Sequence, residues 1–129
     1  MGLLSGMLGN AAEVDVKELE EELGFLLIKN ETPERAFKLI RDLFVFTNKR
    51  LIVIDKQGIT GRKVDYHSVP YKNIAQFSIE TQGNFDLDSE LKIWIKGTPS
   101  PIIKQFKKGS PLHDVQIALA TYVLKHSAE

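Results

Sequence analysis

His67, His113 and His126 are the side chains best suited to move a proton near neutral pH, and none sits in a catalytic setting. His67 lies beside Tyr66, while His113 and His126 fall at opposite ends of one helical stretch. Acyl or phosphoryl transfer needs a nucleophile, a base and a group that orients them. No Gly-x-Ser-x-Gly, His-Glu-x-x-His or comparable local signature surrounds any of the three. The chain has no cysteine, which removes thiolate nucleophiles, thiolate metal sites and disulfides together. The expectation is a protein without catalytic residues, metal or cofactor.

Other patterns touch on binding. Asn84, Asp86, Asp88 and Glu90 recur at every second position, like the first half of a calcium loop. Such a loop requires Gly at its sixth position and a bidentate Glu at its twelfth, where Ser89 and Ile95 stand. A solvated hairpin loop accounts for them. Gly58-Ile59-Thr60-Gly61 has the spacing of a Gly-x-x-Gly nucleic-acid clamp, but that clamp joins helices and this one lies between strand-like segments. Lys92, Trp94 and Lys96 alternate on one face of a strand-like run. Trp94 is either a contact residue between two lysines or a packed ring under their stems. Lys92, Lys96, Arg62 and Lys63 are the candidate ligand contacts.

These residues must be positioned by a scaffold whose centre is the stretch from Asp42 to Gly58. Leu43-Phe44-Val45-Phe46 and Leu51-Ile52-Val53-Ile54 flank Thr47-Asn48-Lys49-Arg50. Each run is short and rich in β-branched or aromatic residues, which predicts strands, and the connector supplies turn chemistry. Neither run alternates apolar with polar. Both faces of the hairpin must therefore be covered by a helix, a second sheet or a second subunit.

Ahead of it, Asp15-Val16-Lys17-Glu18 has the form of a capping box. Ala12, Val16, Leu19 and Leu23 give a short helix one apolar stripe, opposite an acidic face of Glu13, Glu18, Glu20, Glu21 and Glu22, with Gly24 as its stop. Glu34 to Arg41 fits a helix or a two-sided strand, and the strand is preferred. Strands are predicted over residues 64–69, 74–81, 91–96 and 102–106. Ser110-Pro111 then opens a final helix whose stripe is Leu112, Val115, Leu119, Tyr122 and Val123. The result is an α+β chain of about seven strands in a bent sheet or barrel, capped by a C-terminal helix and preceded by a short N-terminal one.

Charge narrows the partners. Seventeen basic residues balance seventeen acidic ones among 129, so the basic surplus of a nucleic-acid-binding protein is missing. No run approaches the length of a membrane span. Met1-Gly-Leu-Leu-Ser-Gly-Met-Leu-Gly9 lacks the basic start of a signal peptide and the Ser or Thr of a myristoylation motif. The expected location is cytoplasmic.

Phe44-Val45-Phe46-Thr47-Asn48-Lys49-Arg50-Leu51-Ile52 with Asp55-Lys56-Gln57-Gly58 resembles the bacterial pleckstrin-homology-like domain family. So do Val69-Pro70-Tyr71-Lys72-Asn73-Ile74, Phe77-Ser78-Ile79-Glu80-Thr81 and Leu91-Lys92-Ile93-Trp94-Ile95. The resemblance implies a pleckstrin-homology-like fold over residues 25–129, with residues 1–24 as an N-terminal extension carrying the acidic helix. It also favours the strand at Glu34–Arg41. Family members look like small cytoplasmic proteins that assemble into rings, and the family offers no catalytic residues to carry over. Eukaryotic pleckstrin-homology domains bind phosphoinositides through basic residues between their first two strands. That link, around Arg41-Asp42, is tight here and contains an acid, so phosphoinositide binding is not expected. The expected function is a non-catalytic interaction or scaffold module that forms a homo-oligomer. Its candidate interface residues are Phe44, Phe46, Ile52, Ile54, Trp94, Leu3 and Leu4. The alternatives are a peripheral membrane or lipid-headgroup binder and an adaptor that pairs a peptide beside a sheet edge.

Overall fold

The computed structural model describes residues 12–39, 41–57, 63–83 and 88–128. They form two compact units that meet in the chain at Ser68 and Val69. The first holds β1 (Ala12–Glu13), α1 (Val16–Glu22), β2 (Pro33–Lys38), β3 (Asp42–Thr47) and β4 (Arg50–Gln57), and β5 (Lys63–Pro70) runs out of it. These five strands make one sheet in sequence order. The second unit holds a single 3-10 turn (Tyr71–Asn73), β6 (Ile74–Thr81), β7 (Ser89–Ile95), β8 (Ile102–Phe106) and α2 (Leu112–His126). Its three strands form a second sheet, again in sequence order. Seven strands and the two helices match the sequence reading; β1, only two residues long, is additional.

The apolar hairpin is β3 and β4, with Leu43 opposite Ile54, Val45 opposite Ile52 and Phe46 opposite Leu51. Strand alternation sends Leu43, Val45, Ile52 and Ile54 to one face, together with Ala36 of β2. There Leu19 of α1 and Leu23, the residue that ends the helix, cover them, with Leu26 and Leu27 packed alongside. Phe37, Phe44, Phe46, Leu51 and Val53 occupy the other face and are buried as well. The absence of alternation is thus met inside the chain. Leu19 of α1 and its cap residue Leu23, both before position 25, supply two of the core side chains of this unit.

Helix α1 starts as expected: the Asp15 carboxylate accepts from the Lys17 amide at 3.0 Å. It ends at Leu23, and the next turn is closed by the Leu26 and Leu27 amides, both donating to the Leu23 carbonyl. Helix α2 differs from the expectation at its start. Pro111, not Ser110, is the cap residue, and no side chain caps the helix. The chain reaches it through Gly109 at φ +83°, with the Ser110 amide bonded back to the Lys107 carbonyl. Ser110 is spent on that turn.

In the second unit, Leu91 and Ile93 of β7 and Leu112, Val115, Ala118, Leu119, Tyr122 and Val123 of α2 are buried. Tyr71 stacks on Tyr122 and His126, with ring centroids 5.2 and 5.0 Å apart. The turn after β7 places Gly97 at φ +87°, where an added Cβ would meet no atom within 4 Å. Backbone strain alone therefore sets the cost of a side chain there. Gly97→Ala is expected to destabilise the protein by about 1–2 kcal/mol in urea unfolding, with the fold unchanged by circular dichroism.

Candidate interaction surfaces

The most elaborate polar constellation surrounds the β3–β4 turn. Thr47 ends β3, and its hydroxyl oxygen accepts from the Lys49 and Arg50 amides at 3.0 and 2.9 Å, closing the turn. The same hydroxyl donates to Glu31 Oε2 at 2.7 Å. Asn48 ties the turn to the segment before β2: its Oδ1 accepts from the Thr32 amide at 2.8 Å, and its Nδ2 donates to the Asn30 carbonyl at 2.9 Å. Asn30 adopts φ +65°, a conformation Asn tolerates better than most residues.

Arg50 is the hub. Its Nε and Nη2 grip Glu31 through both carboxylate oxygens at 2.8 and 2.9 Å, the two-pronged geometry that suits a guanidinium. Nη1 donates to Ser68 Oγ at 2.8 Å and Nη2 to the Leu26 carbonyl at 2.7 Å. The Glu31 side chain is wholly buried. Burial pushes its pKa up, but hydrogen bonds from Arg50, the Ile28 amide and Thr47, with the Arg50 charge, outweigh it and hold the carboxyl below its ordinary value. Four of the five Arg50 N–H groups have fixed protein partners, so the constellation is an internal clamp. It joins the turn, β5 and the segment after α1.

The sequence candidates fall in different places. Phe44, Phe46, Ile52 and Ile54 have no exposed surface and are core side chains, because α1 and the two-sided burial of the sheet take up the apolar area assigned to a partner. Leu3, Leu4 and Arg62 lie outside the described residues. Lys63 is exposed at the start of β5. Lys92 and Trp94 share the polar side of β7 and are half-buried, whereas Lys96 lies in the turn after the strand and is exposed. Lys92 sits between Glu80 and Glu90, at 3.5 and 3.6 Å. These two acids oppose one another across the β6–β7 ladder, a repulsive arrangement that an interposed ammonium offsets. Lys92 is thereby engaged within the sheet.

Asp88, from the calcium-loop pattern, accepts from the Lys108 amide at 2.8 Å, while Asn84 and Asp86 lie outside the described residues. No group of three or more His, Asp or Glu residues is arranged to hold a metal ion among the described residues. His67 and His113 are exposed, and His126 is stacked on Tyr71. The link between β2 and β3 spans residues 39–41. No helix among the described residues is long and apolar enough to cross a membrane.

One surface feature lies beyond these candidates. Phe77, Ser78 and Ile79 of β6 and His113 and Gln116 of α2 line a groove of about 250 Å3. β6 is a terminal strand of its sheet, and Phe77 and Ile79 remain only half-buried. Outside the groove, α2 exposes Ile117 and Leu124. The signal for this surface was present in the sequence: both residues are apolar and fall off the docking stripe of the helix.

Relatives and solved structures agree with this architecture. The chain is 55% identical over 121 residues to the uncharacterised protein YjqA of Bacillus subtilis, covering 93% of this chain and 97% of the relative. It is 32% identical over 118 residues to the uncharacterised protein YozO of the same organism, covering 92% and 97%. A pleckstrin homology domain from Shewanella amazonensis superposes with TM-score 0.80 at 52% identity, covering 95% of this chain and 98% of that one. A DUF1696 family protein with a pleckstrin-homology domain from Shewanella loihica gives 0.75 at 55% identity, covering 89% and 98%. The family profile described as bacterial PH domain matches residues 2–123. With its two sheets, its C-terminal helix and this match over nearly its whole length, the chain belongs to the bacterial PH domain family.

Proposed function

We propose that this domain is a non-catalytic interaction module that assembles with copies of itself. The observation that carries the reading is the distribution of exposed apolar surface. The hairpin keeps none, whereas Phe25, Ile28, Ile103, Ile117 and Leu124 remain substantially exposed. Ile103 lies on β8, one terminal strand of the three-stranded sheet, and a terminal strand presents unpaired main-chain groups to a partner. Removing such surface from water contributes about 25 cal/mol per Å2 of apolar area. Non-catalytic action is supported by the scattered histidines and by the commitment of the buried Glu31–Arg50 pair to the fold.

Light scattering of the purified full chain at micromolar concentration tests the reading. The expected result is a single species several times the mass of one chain, and a clean monomer would refute it. A second reading, an adaptor for an extended foreign peptide, is favoured by the groove beside β6, where Phe77 and Ile79 stay half-buried on a terminal strand that suits an added one. The lipid-headgroup alternative needs cationic side chains gathered at one loop; sedimentation with anionic vesicles would reveal it as salt-sensitive binding.

A further inference from the structure

We propose that the groove beside β6 binds an extended, uncharged segment of another protein, laid along β6 as an added strand with apolar side chains at alternate positions. The inference rests on the adaptor reading and names the chemistry of its ligand.

Both walls of the groove lie in the second compact unit. One is β6, eight residues long and terminal in its sheet. β7 contributes no residue to the lining, so the groove follows the edge of β6 that faces away from β7. A strand edge without a neighbour offers main-chain N–H and C=O groups at alternate residues, and another extended chain satisfies them in series. The same register fixes the side chains. Phe77 and Ile79 stand opposite Ile93 and Leu91 of β7, both of which are buried. They therefore belong to the core-facing side of the sheet, and they stay half-buried because β6 ends it. An added strand would set alternate side chains beside Phe77 and Ile79. Apolar ones complete that row.

The α2 wall sets the polarity of the occupant. It consists of His113 and Gln116. Gln116 is half-buried, and its amide makes no hydrogen bond among the described residues. A primary amide both donates and accepts, which suits the main chain or an uncharged polar side chain of a ligand. Among the described residues that line the groove there is no carboxylate, ammonium or guanidinium group. A charged side chain set against Phe77 and Ile79 would lose water without gaining an opposite charge. The neutral lining thus selects a neutral occupant over acidic or basic segments.

The test selects random octapeptides, the length of β6, displayed on phage against the immobilised full-length chain. Enriched peptides are then synthesised with a fluorescent label and titrated onto the protein in solution. The expected result is enrichment of uncharged sequences with apolar residues at alternate positions, and saturable binding. Gln116→Glu puts a charge on the groove wall and should weaken binding at least about tenfold. Circular dichroism should stay unchanged, because Glu and Gln are similar helix formers. Leu124→Glu, on the exposed helix face outside the groove, should leave the affinity as it is. Methylating one alternate set of the peptide's main-chain nitrogens should abolish binding and methylating the other should not, as one paired edge requires. No enrichment would overturn the adaptor reading and this groove with it. Enriched peptides that are charged, indifferent to Gln116→Glu or equally sensitive to both methylated sets would overturn the groove and leave an adaptor standing. Enriched peptides that match a stretch of this chain would assign the groove to a second copy and overturn a foreign occupant.

Discussion

Arg50→Met should cost about 3–5 kcal/mol of folding stability, the range for removing one partner of a buried ion pair. Glu31 has no exposed side-chain surface, so without Arg50 it must remain charged and poorly compensated or take up a proton. Ser68 Oγ and the Leu26 carbonyl lose a donor at the same moment. Pairing the substitution with Glu31→Gln removes the stranded charge, and the double variant should be more stable than Arg50→Met alone. Urea unfolding of the wild type, both single variants and the double variant closes the thermodynamic cycle. A loss below about 1 kcal/mol for Arg50→Met would place the pair with ordinary surface salt bridges and defeat the assignment.

The same network sets an acid limb in the stability profile. The folded-state pKa of Glu31 is lowered: burial raises it, but the bonds from Arg50, Ile28 and Thr47 outweigh that effect. A group whose pKa is depressed on folding stabilises the protein fully above its unfolded value, near 4.3. That contribution is lost as the pH falls through the folded value. Wild-type stability should therefore decline on acidification below the ordinary carboxylate range, and Glu31→Gln should flatten that part of the profile.

Much of the scaffold was legible because strand periodicity is local. The two-sided hairpin was visible in the lack of alternation from Leu43 to Phe46 and from Leu51 to Ile54, and the half-buried β7 in its regular alternation. The role of Thr47-Asn48-Lys49-Arg50 was read only in part. Thr47 and Asn48 are turn residues by type, but Arg50 acts through a carboxylate 19 positions earlier. Nothing in local spacing joins Glu31 to Arg50, since the pairing exists only after β2, β3 and the turn after α1 have packed. Ser110 shows the opposite limit: a plausible capping residue was diverted by the turn at Gly109. Burial misled most where the candidate interface was concerned. An apolar run lacking a polar face states that two coverings exist, without stating whether either belongs to another molecule.

Phe46→Ala separates those two meanings. Phe46 is fully buried and meets Phe37 edge to face, with ring centroids 6.1 Å apart. It stands one residue before Thr47, opposite Leu51, so truncation leaves a cavity next to the clamped turn. A core phenylalanine cut to alanine costs about 3–5 kcal/mol, a large share of the roughly 5–15 kcal/mol that holds a domain together. Unfolding by urea should show that loss at any protein concentration, because the contacts removed lie within one chain. An interface side chain would behave otherwise: its removal would shift the assembly equilibrium, and the apparent loss would shrink on dilution as the wild type itself dissociated. A Phe46→Ala protein with wild-type stability and a smaller assembled mass would return the hairpin to the interface. The loss expected here, independent of concentration, leaves Ile103, Ile117 and Leu124 as the exposed apolar surface on which the proposed assembly would have to rest.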